Sequence, residues 1–174
     1  MTDVENIFIR WNFVLSKLKN ELELIELEID QGKVVFDIAQ NENIKTMTID
    51  EVRVFYSLLI ESIKYCELVE LFSCLERFLF DDIDARKKDN TKLYHRNACL
   101  IKRKMPVSCI INMWKNIFTS DEYQDIFSYI EDAKAYRNWI AHGKRFTCTA
   151  TSPLNIDETY NSIVLLIDEI NSKN

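Results

Sequence analysis

Two glycines and two prolines are all that punctuate these 174 residues. Sheet-rich folds need frequent turns, and turns draw on glycine for positive φ and on proline for a preset φ. A chain this poor in both is confined to long uninterrupted segments, and the class that fits is all-α. Apolar spacing agrees. Trp11, Leu15, Leu18, Leu22, Ile25 and Ile29 step alternately by four and three residues, which predicts an amphipathic helix from about Val4 to Ile29 with one continuous seam. A near-heptad seam suits a coiled-coil partner or packing within a bundle, of which the bundle is the commoner use.

The rest of the chain follows the same rule. Gln31 to Thr46, with Gly32 near its start and a Val34-Val35-Phe36 run, breaks the pattern and reads as a connector with room for some extended structure. Thr48-Ile49-Asp50-Glu51 has the form of a capping box, in which threonine and glutamate satisfy each other's orphan N–H groups. It opens a helix to about Asp84, with Phe55, Leu58, Leu59, Ser62, Tyr65, Cys66, Val69, Phe72, Leu75, Leu79 and Ile83 at helical spacing. Leu68 to Phe80 is apolar on most sides and belongs in the middle of a bundle. After Pro106, Val107 to Phe118 predicts a helix with Ile110, Ile111, Trp114, Ile117 and Phe118 inward. Thr119-Ser120-Asp121-Glu122 marks a turn and N-cap, its acids placed to suit the next helix dipole. A Thr/Ser-rich loop, Phe146 to Leu154, precedes a last helix from about Asp157 whose apolar face is Tyr160, Ile163, Val164, Ile167 and Ile170. With 47% hydrophobic residues and no repeats, the expectation is one helical domain over 1–174.

Composition narrows the chemistry. No apolar run approaches the roughly 20 residues of a membrane span, and Met1-Thr2-Asp3-Val4-Glu5 lacks a basic start and an apolar core, so no membrane partner and a cytoplasmic location are expected. Five cysteines, without a C-x-x-C pair, and two histidines, His95 and His142, do not have zinc-site spacing, so neither a metal nor a cofactor is expected. Net charge is −6, but Ala85 to Met105 holds eight basic residues (Arg86, Lys87, Lys88, Lys92, Arg96, Lys102, Arg103, Lys104) against Asp89, which is +7 locally and leaves −13 elsewhere. Such a strip is either a solvated loop or a phosphate-attracting track on an acidic body.

The stretch richest in chemistry is Tyr136-Arg137-Asn138-Trp139-Ile140-Ala141-His142-Gly143. It ends a predicted helix running from Asp121 with Tyr123, Ile126, Phe127, Ile130, Ala133 and Tyr136 at helical spacing, and Gly143 supplies the stop. Asn138 and His142 are i,i+4 neighbours, and Arg137 is long enough to curl toward the same patch. A guanidinium, a carboxamide and an imidazole are therefore expected to converge on one anion-sized spot. A plainer account stands beside this one: Arg137 and His142 are cations near a helix C-terminus, which complements the dipole by up to about 1 kcal/mol. His95 is expected at an ordinary surface position. Glu76, flanked by apolar residues, is either part of a surface patch with Arg77 or a carboxylate bonded to a neighbouring helix.

Arg137-Asn138-x-x-Ala141-His142-Gly143 at a helix end in an all-α chain resembles the signature of the HEPN superfamily. Leu71 to Phe80, with Leu75-Glu76-Arg77-Phe78-Leu79, is similar to the second-helix pattern of the RiboL-PSP-type HEPN branch, and the resemblance covers roughly Glu51 to Arg145. It implies an up-and-down helical bundle, with the N- and C-terminal helices here as additions. It further implies a metal-independent endoribonuclease whose motifs meet across a homodimer, used as a toxin or antiviral effector with an antitoxin or other regulatory protein. In that scheme His142 is the general acid or base, Arg137 stabilises the phosphorane, and Asn138 orients His142 or bonds a phosphate oxygen. Lys144 and Arg145 hold flanking RNA phosphates, and Lys102, Arg103 and Lys104 extend the track. Some members of the superfamily keep the fold as a non-catalytic dimerisation or binding module, which is the alternative expectation.

Overall fold

The structure, a computed structural model, describes residues 3–35, 42–102, 104–145 and 147–173. The described residues are all-helical, in the order α1 (Asp3–Asp30), α2 (Glu42–Lys45), α3 (Ile49–Lys88), α4 (His95–Leu100), α5 (Val107–Ile117), α6 (Glu122–Ala141) and α7 (Ile156–Ser172), with no strand among them. The boundaries predicted for α1, α3, α5, α6 and α7 agree to within a few residues, whereas α2 and α4 are short helices in stretches read as a connector and as a basic strip. Of the predicted connector, Phe36 lies outside the described residues, as do Arg103 and Phe146. The described residues gather into two compact units, one of Glu5–Glu67, the other from Leu68 onward together with Asp3 and Val4.

In the first unit, α1 and the start of α3 share a small core of Ile25, Val35, Ile44, Val52 and Tyr56, flanked by the half-buried Leu18, Leu22, Ile29, Met47 and Ile49. Arg53 Nε bonds Glu26 Oε1 at 2.7 Å, pinning α3 to α1. The capping box forms as its sequence requires: Thr48 N–H donates to Glu51 Oε2 at 2.7 Å, and Glu51 N–H donates to Thr48 Oγ1 at 3.4 Å. Those bonds, the Thr48 N–H first, hold the Glu51 carboxyl below its ordinary range. One expectation is corrected here. Phe55 and Leu58 point outward, and Val52 and Tyr56 take the inner face. The 40-residue α3 serves different neighbours along its length, so a single apolar phase cannot describe it.

The second unit is built on the later part of α3, whose Leu68, Leu71, Phe72, Leu75, Leu79 and Ile83 are buried as the apolar stretch predicts. Packed in the same unit are Ile110, Ile111 and Trp114 of α5, Phe127, Ile130 and Ala133 of α6, and Ile163, Leu166 and Ile170 of α7. Fully burying each large aliphatic is worth about 1.5–3 kcal/mol. An aromatic series joins α5 to α6: Trp114 stacks on Phe118 at 5.4 Å, and Phe118 meets Tyr123 at 4.9 Å and Phe127 at 6.5 Å. The inner face of α7 is Ile156, Thr159, Ser162, Ile163, Leu166 and Ile170, turned from the predicted one; Tyr160, Val164 and Ile167 are only half-buried. The helix packs on α6, and its buried Thr159 returns its own hydroxyl to the Asn155 carbonyl at 2.7 Å.

The basic strip is partly a core feature. Arg86 is fully buried, its Nε 3.0 Å from both oxygens of Asp82. Its Nη1 donates to the Leu93 and Lys173 carbonyls at 2.7 and 3.2 Å, and its Nη2 donates to the Ile170 carbonyl at 3.1 Å. The guanidinium also lies 4.9 Å from the Trp114 ring centre and 6.0 Å from that of Tyr94. One side chain thus closes the end of α3, the following turn and the C-terminus of α7, and it is removed from any surface track. His95 is likewise half-buried rather than at an ordinary surface position, with Nδ1 2.7 Å from the Arg86 carbonyl.

Candidate functional site

The candidate site lies at the end of α6, and its local geometry follows from Gly143. Gly143 takes φ +65° and Lys144 φ +59°, beyond the C-cap His142. His142 N–H donates to the Asn138 carbonyl at 3.0 Å, Gly143 N–H to Ile140 at 2.9 Å and Lys144 N–H to Trp139 at 2.9 Å. The last two are the paired bonds of a Schellman ending, which a left-handed residue at this position makes possible. The turn throws His142 and its successors off the helix axis into solvent. A recess of about 450 Å³ opens there, lined by Ala141, His142, Gly143 and Arg145.

One turn earlier the side chains are tied inward. Arg137 Nη2 donates to Glu76 Oε2 at 3.1 Å, and Arg137 Nη1 donates to Asn138 Oδ1 at 3.1 Å. The ion pair is only part-exposed, at 31% for the arginine side chain and 23% for the glutamate. Of the two sequence readings of Glu76, the bonded carboxylate on a neighbouring helix is the one observed. The expected convergence of Arg137, Asn138 and His142 on one spot is corrected here: side-chain bonds join Arg137 to Asn138 and Glu76, Asn138 lines a different recess, and His142 shares its own recess with Arg145. Lys144 sits with its Nζ 5.0 Å from the Trp139 ring centre. Lys102 and Lys104 are exposed, while Arg103 lies outside the described residues.

A feature the sequence did not reveal borders this end of α6. The Asp132 carboxylate accepts bonds from Thr151 N–H at 2.7 Å, Thr151 Oγ1 at 3.1 Å and Ser152 N–H at 3.1 Å. Tyr136 Oη donates to the Ser152 carbonyl at 3.1 Å. The loop after the motif is thus clasped back onto α6, and a second recess of about 400 Å³ forms between them, with Asp132, Lys134, Asn138 and Thr151 in its lining. No local pattern foretells a bond between partners nineteen residues apart.

Burial, helped by Asp3 and opposed by Arg77, pushes the half-buried Cys74 thiol up, which keeps it protonated and poorly nucleophilic. Among the described residues no group of three or more His, Cys, Asp or Glu side chains is placed to hold a metal ion, and no helix is long and apolar enough to cross a membrane. Compared with protein-family models, curated proteins and solved structures, the chain matches none.

Proposed function

We propose that the chain is a HEPN-type endoribonuclease that cleaves RNA without a metal, by attack of the 2′-hydroxyl on the adjacent phosphorus. The observation that carries this reading is the pairing of an imidazole, His142, with a guanidinium, Arg145, around one open recess directly after Arg137-Asn138. RNA brings its own nucleophile, so the protein has only to move a proton and offset charge. Histidine as a residue type titrates near neutrality and can do the first. Planar arginine donors suit the second. In the proposed reaction His142 takes the 2′-hydroxyl proton or gives one to the leaving 5′-oxygen. The new P–O2′ bond forms as the P–O5′ bond breaks, and the products are a 2′,3′-cyclic phosphate and a 5′-hydroxyl. Arg137, oriented by Glu76 and Asn138, stabilises the phosphorane, while Lys144 and Arg145 hold flanking phosphates. Two protomers contribute motifs to a composite site, and a toxin or antiviral effector held by a regulatory partner is the biological role that suits such an enzyme.

A second reading is favoured by the Arg137–Glu76 pair itself. An arginine already matched to a carboxylate suits a non-catalytic binding or dimerisation module equally well on charge alone. The test compares wild type with His142→Ala on a fluorophore-labelled RNA, with EDTA present throughout. Cleavage by wild type alone, leaving 2′,3′-cyclic phosphate ends, is the expected result. Equal cleavage by both removes His142 from the mechanism, and none by either favours the module.

A further inference from the structure

We propose that the outward face of α1 is an interface for a second copy of this chain, laid antiparallel across a two-fold axis beside Leu18 and Lys19. The helix carries two apolar stripes. One is the predicted seam, with Leu15 and Ile25 buried and Leu18, Leu22 and Ile29 half-buried. The other is Ile9, Phe13, Leu24 and Leu27, which are 56%, 62%, 61% and 54% exposed. At the α-helical repeat these four fall within an arc of about 60°, on the side opposite the seam, and span roughly five turns. Four large apolar side chains aligned on one exposed arc are more than scattered surface hydrophobics.

The order of residues along that face identifies the occupant. Ser16 and Asn20, both small and uncharged, occupy the middle of the stripe, and the large side chains sit at its two ends. Reversed on itself, the stripe sets Ile9 against Leu27, Phe13 against Leu24 and Ser16 against Asn20. The midpoints fall at Leu18 for the first and last pairs and between Leu18 and Lys19 for the middle one, within half a residue of one another, as a two-fold axis demands. The charges bordering one side obey the same axis. Arg10 and Lys17 lie on its N-terminal half, Glu21 and Glu28 on its C-terminal half; within its own chain Glu21 also accepts from the Tyr56 hydroxyl and Glu28 meets Lys33 Nζ at 3.1 Å. An antiparallel copy brings Arg10 opposite Glu28 and Lys17 opposite Glu21, twice each. A parallel copy would set Arg10 against Arg10 and Glu21 against Glu21. On the other border Lys19 approaches its own mate, with Glu23 one turn away to offset it. Apolar pattern and charge pattern therefore select the same partner and the same direction.

This interface uses none of Glu76, Arg137, Asn138 or His142, and it stands whether or not the chain cleaves RNA. The test is sedimentation of the full chain. Wild type at about 100 μM is expected to self-associate, and Phe13→Glu with Leu24→Glu to lower its association state at unchanged helicity. Arg10→Glu and Glu28→Arg are each expected to weaken self-association by about tenfold, and the double variant Arg10→Glu/Glu28→Arg to restore it. Restoration is specific to the antiparallel pairing, because a parallel dimer regains no opposite charges. A monomeric wild type, a dimer indifferent to Phe13→Glu/Leu24→Glu, or a double variant no better than the single ones would each overturn the proposal.

Discussion

Two arginines in the second unit show how differently one residue type is used. Arg86 and Arg137 each pair with a carboxylate on α3, Asp82 and Glu76. Arg86 is wholly buried and donates to both oxygens of its partner and to three backbone carbonyls. Arg137 is nearly a third exposed, and its bonds run to one carboxylate oxygen and one amide oxygen. A guanidinium saturated by fixed acceptors in a dry site is a structural cross-link, whose removal strands the groups around it. One held at its back and open at its front is oriented without being consumed. Formal charge in the sequence is the same for both, and only burial separates them.

That contrast can be broken in several places. The largest effect is expected at Arg86, where Arg86→Met leaves Asp82 and the Leu93, Ile170 and Lys173 carbonyls without their donor. A loss of about 3–5 kcal/mol in urea unfolding is expected, against a conservative change that costs little if the pair were solvated. Next comes His142→Ala, for which RNA cleavage should fall by about 10²- to 10⁴-fold. Since His142 is exposed, its unfolding midpoint should shift by less than about 0.5 kcal/mol equivalent. Glu76→Gln keeps the shape of the carboxylate and removes its charge, so kcat on RNA should fall by about tenfold through loss of Arg137 orientation. A change confined to KM would instead assign Glu76 to substrate binding.

Smaller effects sharpen the local geometry. Gly143→Ala puts a Cβ on a residue at φ +65°, where strain of about 1 kcal/mol is expected in thermal or urea unfolding. The least is a pH effect at the capping box. The Glu51 carboxyl is held below its ordinary range by Thr48, so it binds its proton less readily folded than unfolded. Its contribution is present at neutral pH and lost as pH falls through the folded pKa. Acidification should therefore lower the unfolding midpoint of wild type slightly more than that of Thr48→Ala.

Much of the fold was legible because helix signals are local. The Thr48–Glu51 box, Pro106 before α5 and Gly143 after α6 lie within a few residues of the boundaries they set. Long-range partners were not legible. Arg86 reads as one more member of a basic strip until Ile170 and Lys173, more than eighty residues away, close over it. The Asp132 clasp on Thr151 and Ser152 has the same origin. At the candidate site the sequence identified the residues to inspect, and it placed His142 and Gly143 at the helix end. It expected Arg137 to curl toward His142, whereas Arg137 is turned to Glu76 and Arg145 shares the recess of His142. Side-chain direction there depends on α3, which is remote in the chain.

The most direct measurement takes Arg86→Met and Arg137→Met side by side, each assayed for urea unfolding and for cleavage of a labelled RNA in EDTA. Arg137→Met is expected to lose cleavage by at least about a hundredfold while keeping stability within about 1 kcal/mol of wild type. Arg86→Met is expected to lose several times that stability, and any activity it loses should return under conditions that refold it. Full cleavage by Arg137→Met, or a stability loss there as large as at Arg86, would contradict the division between a structural and a working arginine.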